Sequence, residues 1–186
     1  SAYVRSGDEM FRRLLIFKTN SSAIHGDPLS PEQFRGSHEN YQTEARFFLN
    51  ASPKKDPFIL SLAWLLALRQ IFSGGGGLIY TKADGWRYVL SPRACGTNII
   101  YGNTLAGTQK PIISVKGFDS SFDKHHCGEG RARLHIPVGD STLMPSTIRF
   151  RFAFVHLFLR LWEEGGADTI RLPLPSDPSD PLVLLH

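Results

Sequence analysis

The sequence predicts an α+β domain, a mixed sheet packed with helices, and three observations carry that expectation. The apolar run Phe58 to Phe72 keeps helical spacing through Ile59, Leu62, Ala63, Leu66 and Ile71. Two stretches, Tyr41–Asn50 and Ile148–Phe154, alternate with a period of two. Glycine and proline clusters break the remainder into short pieces, as turns between strands do. With 186 residues and neither an internal repeat nor a linker-like break, the chain reads as one domain over 1–186. It carries a loop at 20–36 and a Pro-rich tail at 173–186.

The elements follow in order. Residues 9–18 fit a short helix or a strand equally well. Tyr41–Asn50 is expected as a strand with Thr43, Ala45, Phe47 and Leu49 on its inner face and Glu44, Arg46 and Phe48 opposite. Glu39 and Glu44 have opposite strand parity, so Glu39 is placed in a loop or bulge just before the strand, curling back toward Glu44. Asp56 and Pro57 read as the N-cap and first turn of the helix Phe58–Phe72, and the Ser73–Gly77 run ends it. Leu78–Thr81 and Trp86–Leu90 form a hairpin across Asp84-Gly85. Ile99 to Ser114 holds strand pieces broken at Gly102, Gly107 and Pro111, and Gly117–Gly130 is loop. In Ile148–Phe154 the residues Ile148, Phe150, Phe152 and Phe154 point to the core and Arg149 and Arg151 outward. Val155–Glu164 continues as strand or turns helical before Gly165-Gly166.

Composition narrows the class. Hydrophobic residues make up 41% and include 13 phenylalanines, which argues against disorder. A net charge of +4 and a pI near 9.2 permit a polyanionic partner without requiring one. Two cysteines, Cys95 and Cys127, make no disulfide framework and fit a reducing, cytoplasmic compartment. No signal-peptide core is visible near the start. The longest apolar run is interrupted by Arg69 and falls short of the roughly 20 residues of a membrane span, so no membrane partner is expected.

Three acids stand around the glycine-rich turn: Glu39, Glu44 and Asp84. Gathered in space, they would suit a hard, oxygen-seeking ion such as Mg2+ or Mn2+. Solvated loop acids and an ordinary Asp-Gly turn explain the same spacing, and both readings stand at this point. Gly74–Gly77 lacks a following Lys-Ser or Lys-Thr, which argues against a phosphate-binding P-loop. Arg149 and Arg151 on one strand face suit successive phosphates, with Lys54, Lys55 and Arg87 extending the path. Trp86 and Tyr88 either stack on a base or pack on the sheet.

The order of these parts (Glu39, a five-residue step, Glu44, Arg46, a buried helix, glycines, a strand, Asp84) resembles the core of the Schlafen endoribonucleases, an AlbA-like fold. The resemblance implies that Glu39, Glu44 and Asp84 are the catalytic, metal-holding acids and that Arg46 contacts an RNA phosphate. It further implies a structural zinc, for which His125 and Cys127 offer a half-site; the family's Cys-Cys pair has no counterpart here. A surface histidine pair beside a free thiol accounts for His125-His126-Cys127 as well. Schlafen cores contain two lobes, and this chain matches one. A second Schlafen-like subunit is therefore expected as partner, of the kind that processes the 5′ ends of piRNA precursors. The function expected is a metal-dependent endoribonuclease lobe acting on RNA. The alternative is a non-catalytic RNA- or DNA-binding or scaffold subunit.

Overall fold

The computed structural model describes residues 2–3, 15–16, 36–48, 56–81, 85–102, 110–114, 129–142, 144–165, 180–183 and 185. Eight strands are present among them: β1 (Ala2–Tyr3), β2 (Leu15–Ile16), β3 (Ser37–Glu44), β4 (Gly77–Thr81), β5 (Gly85–Val89), β6 (Ile99–Gly102), β7 (Pro111–Ser114) and β8 (Arg131–Gly139). The helices are α1 (Pro57–Ser73), α2 (Pro92–Cys95), α3 (Pro145–Glu163) and α4 (Asp180–Val183), with a 3-10 turn at Ala45–Phe47.

The main sheet has the order β3-β8-β7-β6. Its β3–β8 and β8–β7 pairs are antiparallel, whereas β7 and β6 run parallel, so the sheet is mixed as expected. β4 and β5 form a separate antiparallel hairpin. Gly85 opens β5 at φ +70, a conformation that costs a side-chain-bearing residue more than glycine. Helices α1 and α3 pack on one another and on a single face of the main sheet. Between the layers lie Leu62 and Leu66 of α1, Leu134, Ile136 and Val138 of β8, and Val155, Phe158 and Leu159 of α3.

α1 forms where its capping signals place it. The Asp56 carboxylate accepts from the Phe58 and Ile59 amides at 2.9 and 3.2 Å, and Pro57 occupies the first helical turn. Such a cap stabilises by ~1 kcal/mol. Phe58 then enters an aromatic cluster, stacked on Phe47 at 4.7 Å and edge-on to Trp162 at 5.3 Å. Contacts of this kind add ~0.5–1.5 kcal/mol beyond area burial.

Three expectations change. The strand expected over Tyr41–Asn50 lies earlier, at Ser37–Glu44, and turns into the 3-10 segment at Ala45; residues 49 and 50 lie outside the described residues. Glu39 sits inside β3, although a register shift does fall between Ser37 and Glu39. Ile148–Phe154 is not a strand but the first half of α3. On a helix its alternation scatters: Arg151 becomes buried, whereas Ile148, Phe150 and Phe152 are exposed rather than core. The physical reason is the longer run, in which Val155, Phe158, Leu159 and Trp162 supply a helical stripe that six alternating residues cannot outweigh.

Candidate functional site

β3 divides its residues cleanly. Glu39 and Thr43 are buried and Tyr41 is half-buried toward the helix layer, while His38, Asn40 and Gln42 are exposed on the other face. Glu44 shares that outer parity and is half-buried. Register places Asn40 opposite His135, Gln42 opposite Arg133 and Glu44 opposite Arg131. Cross-strand partners project from the same face, so two strands assemble a row of imidazole, amide, carboxylate and guanidinium groups. This polar face is the candidate site.

Beneath it lies a buried ionic knot. Arg69 of α1 grips Glu39 with both terminal nitrogens, at 2.8 and 3.0 Å. Arg151 of α3 approaches the same carboxylate through Nε at 3.0 Å and through a second, shorter contact from Nη2. The Tyr41 hydroxyl donates to it at 2.6 Å. Arg69 is wholly buried and the Glu39 side chain is 3% exposed. Burial by itself would raise the Glu39 pKa, but Arg69, Arg151 and the Tyr41 hydrogen bond hold it below the usual carboxylate range. Burial pushes the Tyr41 phenol upward, helped by that same carboxylate. Gly139 leaves room for the knot: a Cβ there would run into the Arg151 guanidinium and the Glu39 oxygen.

Asp140 extends the frame. Its carboxylate accepts from the Gly75 amide at 2.8 Å and the Arg93 amide at 3.0 Å. Its carbonyl accepts from Ser37 Oγ at 3.0 Å and Arg151 Nη1 at 2.7 Å. At the far end of the row, Glu163 of α3 takes bonds from Thr43 Oγ1 at 3.1 Å and Arg131 at 3.2 Å. On the outer face His38 and His135 lie with ring nitrogens 3.1 Å apart, an arrangement in which one imidazole donates and the other accepts. Burial, with Arg93 nearby, lowers the His38 pKa and keeps that ring neutral near pH 7. A concavity of about 230 Å³ lies elsewhere, between α1, β5 and α2, where Ala67, Ile71, Leu90 and Ala94 alternate with Gln70, Arg87, Tyr88, Ser91 and Cys95 along its wall.

The expected site residues separate. Glu39 and Glu44 stand on opposite faces of β3 and do not converge, and Glu39 already serves two arginines. Arg46 is ion-paired to Glu44 and donates to the Glu163 carbonyl at 3.5 Å. Arg87 lies on the hairpin. Arg149 is exposed on α3, while Arg151, two positions on, is buried against Glu39, so the two form no phosphate-gripping stripe. Asp84, Lys54, Lys55, His125 and Cys127 lie outside the described residues. Trp86 and Tyr88 are exposed on the hairpin. No group of three or more His, Cys, Asp or Glu side chains poised for a metal occurs among the described residues. Nor is any described helix long and apolar enough to cross a membrane. What sequence reasoning missed is the row itself. His38-x-Asn40-x-Gln42-x-Glu44 and Arg131-x-Arg133-x-His135 are both period-two polar patterns, visible once both stretches are taken as strands.

Comparison with known proteins redirects the functional reading. The sequence model of the Pup-ligase protein family matches residues 9–178. The Pup–protein ligase of Saccharomonospora viridis is 32% identical over 154 residues, covering 82% of this chain and 29% of that protein. The solved Pup ligase PafA in complex with ADP superposes with a TM-score of 0.61 at 20% identity, over 92% of this chain and 33% of the other. PafA in complex with Pup gives 0.55 at 20% identity, over 82% of this chain and 28% of that one. The chain therefore spans under a third of the length of that relative. These matches overturn the Schlafen assignment, and with it the endoribonuclease activity, the RNA-binding or scaffold alternative, the RNA partner, the Schlafen-like second subunit and the place in piRNA processing.

Proposed function

Because this chain belongs to the Pup-ligase protein family, we propose that it forms part of a Pup–protein ligase and contributes the polar face of β3 and β8 to a nucleotide site. The observation that carries the reading is the family match over 9–178, joined to a face whose donor set suits the ligand. The relatives are Pup–protein ligases, and the PafA neighbour is a complex with ADP. In such chemistry the nucleotide supplies a phosphoryl group that activates a carboxylate, from which an amine then displaces phosphate.

The residues fit that ligand. Arg133 carries a guanidinium fork, the side chain best matched to phosphate oxygens, and Arg131, paired to Glu163, stands at the edge of the row. Asn40 and Gln42 add amide donors and acceptors between the cations. A nucleotide-bound Mg2+ or Mn2+ keeps phosphate and water ligands and takes only one or two carboxylates from protein. Glu44 is the described carboxylate in the row, at its edge, and is the residue proposed to contribute there. The His38–His135 pair can relay a proton, one ring accepting as the other releases, which suits an amine that must lose a proton as it attacks.

Titration of Mg2+–ADP into the purified chain tests this. Arg133→Ala removes a charged hydrogen bond worth ~1.5–3 kcal/mol, so binding should weaken by ~10–100-fold. Absence of Mg2+–ADP binding to the wild-type chain, or binding indifferent to Arg133→Ala and Glu44→Gln, sinks the proposal.

A further inference from the structure

Resting on the nucleotide site argued above, we propose that Glu163 is a positioning residue. From the last turn of α3 it holds the Arg131 guanidinium at the rim of the polar face, where that side chain takes a phosphate oxygen alongside Arg133. Arg131 opens β8 opposite Glu44, and the two strands are pinned at that end by the Ala45 amide, which donates to the Gly130 carbonyl at 2.9 Å. The Arg131 side chain is 46% exposed, and its Nη1 meets Glu163 Oε1 at 3.2 Å. A guanidinium carries five N–H donors in a fixed fork. Glu163 takes one edge of that fork and leaves the rest to face outward.

The anchor is itself fixed. Thr43 is buried, and its hydroxyl donates to the same Glu163 oxygen at 3.1 Å. Only 15% of the Glu163 side chain is exposed. Arg46 donates to the Glu163 carbonyl at 3.5 Å while pairing with Glu44. One helical turn therefore sets both a cation and a carboxylate at this end of the row. The same helix braces the other end, where Arg151 holds Glu39. About 18 Å of helix separates Arg151 from Glu163, against about 13 Å of strand between Glu39 and Thr43. α3 thus runs alongside β3 and meets it at two points.

Stability does not account for the bond to Arg131. Thr43 needs the Glu163 oxygen as its acceptor, but an ion pair as open to water as this one adds little to folding. What the pair does is restrict a long side chain before the ligand arrives. A cation held in place saves the ordering cost that a free one pays on binding, which is ~2–10-fold in affinity for one side chain.

Calorimetric titration of Mg2+–ADP into the purified chain tests this with a double-mutant cycle on Arg131→Ala and Glu163→Ala. All four proteins carry Thr43→Val, so that no buried hydroxyl is orphaned. Arg131→Ala should weaken binding ~10-fold or more, and Glu163→Ala ~2–10-fold. With Arg131 already removed, Glu163→Ala should cost nothing further, a coupling that mere support of the fold would not produce. Glu163→Gln, which keeps an acceptor without the charge, should recover most of the loss. Binding that is unchanged or tighter in Glu163→Ala, or weakened equally with and without Arg131, overturns the positioning role while sensitivity to Arg133→Ala still upholds the nucleotide site. A wild-type chain that does not bind Mg2+–ADP overturns both.

Discussion

Replacing Glu39 by glutamine keeps the shape of the buried knot and deletes its only anion. Arg69 and Arg151 would then face one another's charge in a space neither can leave, since both are buried. Removing one partner of a buried pair costs about 3–5 kcal/mol because a charge is left uncompensated. Here one carboxylate answers two guanidiniums and a phenol, so the upper part of that range, about 4–5 kcal/mol, is expected. Against a typical total stability of about 5–15 kcal/mol this is a large fraction. For a chain of this size it corresponds to a fall in melting temperature of about 8–20 °C. Urea titration followed by tryptophan fluorescence measures it, with an unchanged m-value as the check that the same surface unfolds. Arg151→Met should cost less, about 2–3 kcal/mol, because Glu39 keeps its two-pronged contact with Arg69. A loss below about 1 kcal/mol in Glu39→Gln, or a stable variant that has lost only nucleotide binding, would refute the view that Glu39 is a structural anion.

Asp140→Ala should destabilise by about 2–4 kcal/mol, since the buried Arg93 amide and the half-buried Gly75 amide lose their acceptor, and hydrogen exchange should show Gly75 and Arg93 deprotected. Gly139→Ala places a methyl group where the Arg151 guanidinium now lies and should cost at least about 2 kcal/mol in the same urea titration, with the loss largely absent when Arg151→Met is already present. The pH dependence has a definite sign. His38 titrates lower in the folded chain than unfolded, so its contribution is complete above about pH 6.5 and declines as pH falls through the folded value. Glu39 also titrates lower when folded, so its contribution is complete above about pH 4.5 and declines further into acid. A urea midpoint that rises as pH falls from about 7 to about 5 would contradict the His38 assignment, and one that rises on going below about pH 4.5 would contradict that of Glu39.

The parts of the fold that were legible were those whose signals are local. Asp56, Pro57 and the Ile59–Leu62–Leu66 spacing give α1 without reference to anything distant, and Asp84-Gly85 marks the hairpin. The opposite parity of Glu39 and Glu44 is also readable, but the conclusion drawn from it, a loop carrying Glu39 back toward Glu44, does not follow, because both lie in β3 and face apart. Illegible features were those decided by partners far along the chain. Arg151 looks like a solvent-facing strand residue until Glu39, over a hundred positions earlier, is seen to claim it. Ile148–Phe154 alternates by the accident of placing Arg149 and Arg151 between aromatics, while the helical stripe that overrides it begins at Val155. β8 escaped notice although Ala132, Leu134, Ile136 and Val138 alternate with Arg131, Arg133 and His135, a pattern as regular as that of β3. The acids drew attention because carboxylates suggest metal chemistry. The row beside them, of mixed histidine, amide and arginine, matches no single metal or nucleophile motif.

The adjacency of β3 and β8 has a kinetic corollary. Ser37 and Asp140, 103 positions apart in sequence, touch, and β3 and β8 pair along most of their length. Closing so long a loop carries an entropic penalty that nothing local repays. Assembly of the central ladder must therefore wait for α1 and the β4–β5 hairpin to condense and shorten the effective tether. Until β8 arrives the backbone edge of β3 stands unpaired, and that interval, rather than the finished molecule, is where edge-to-edge self-association would begin.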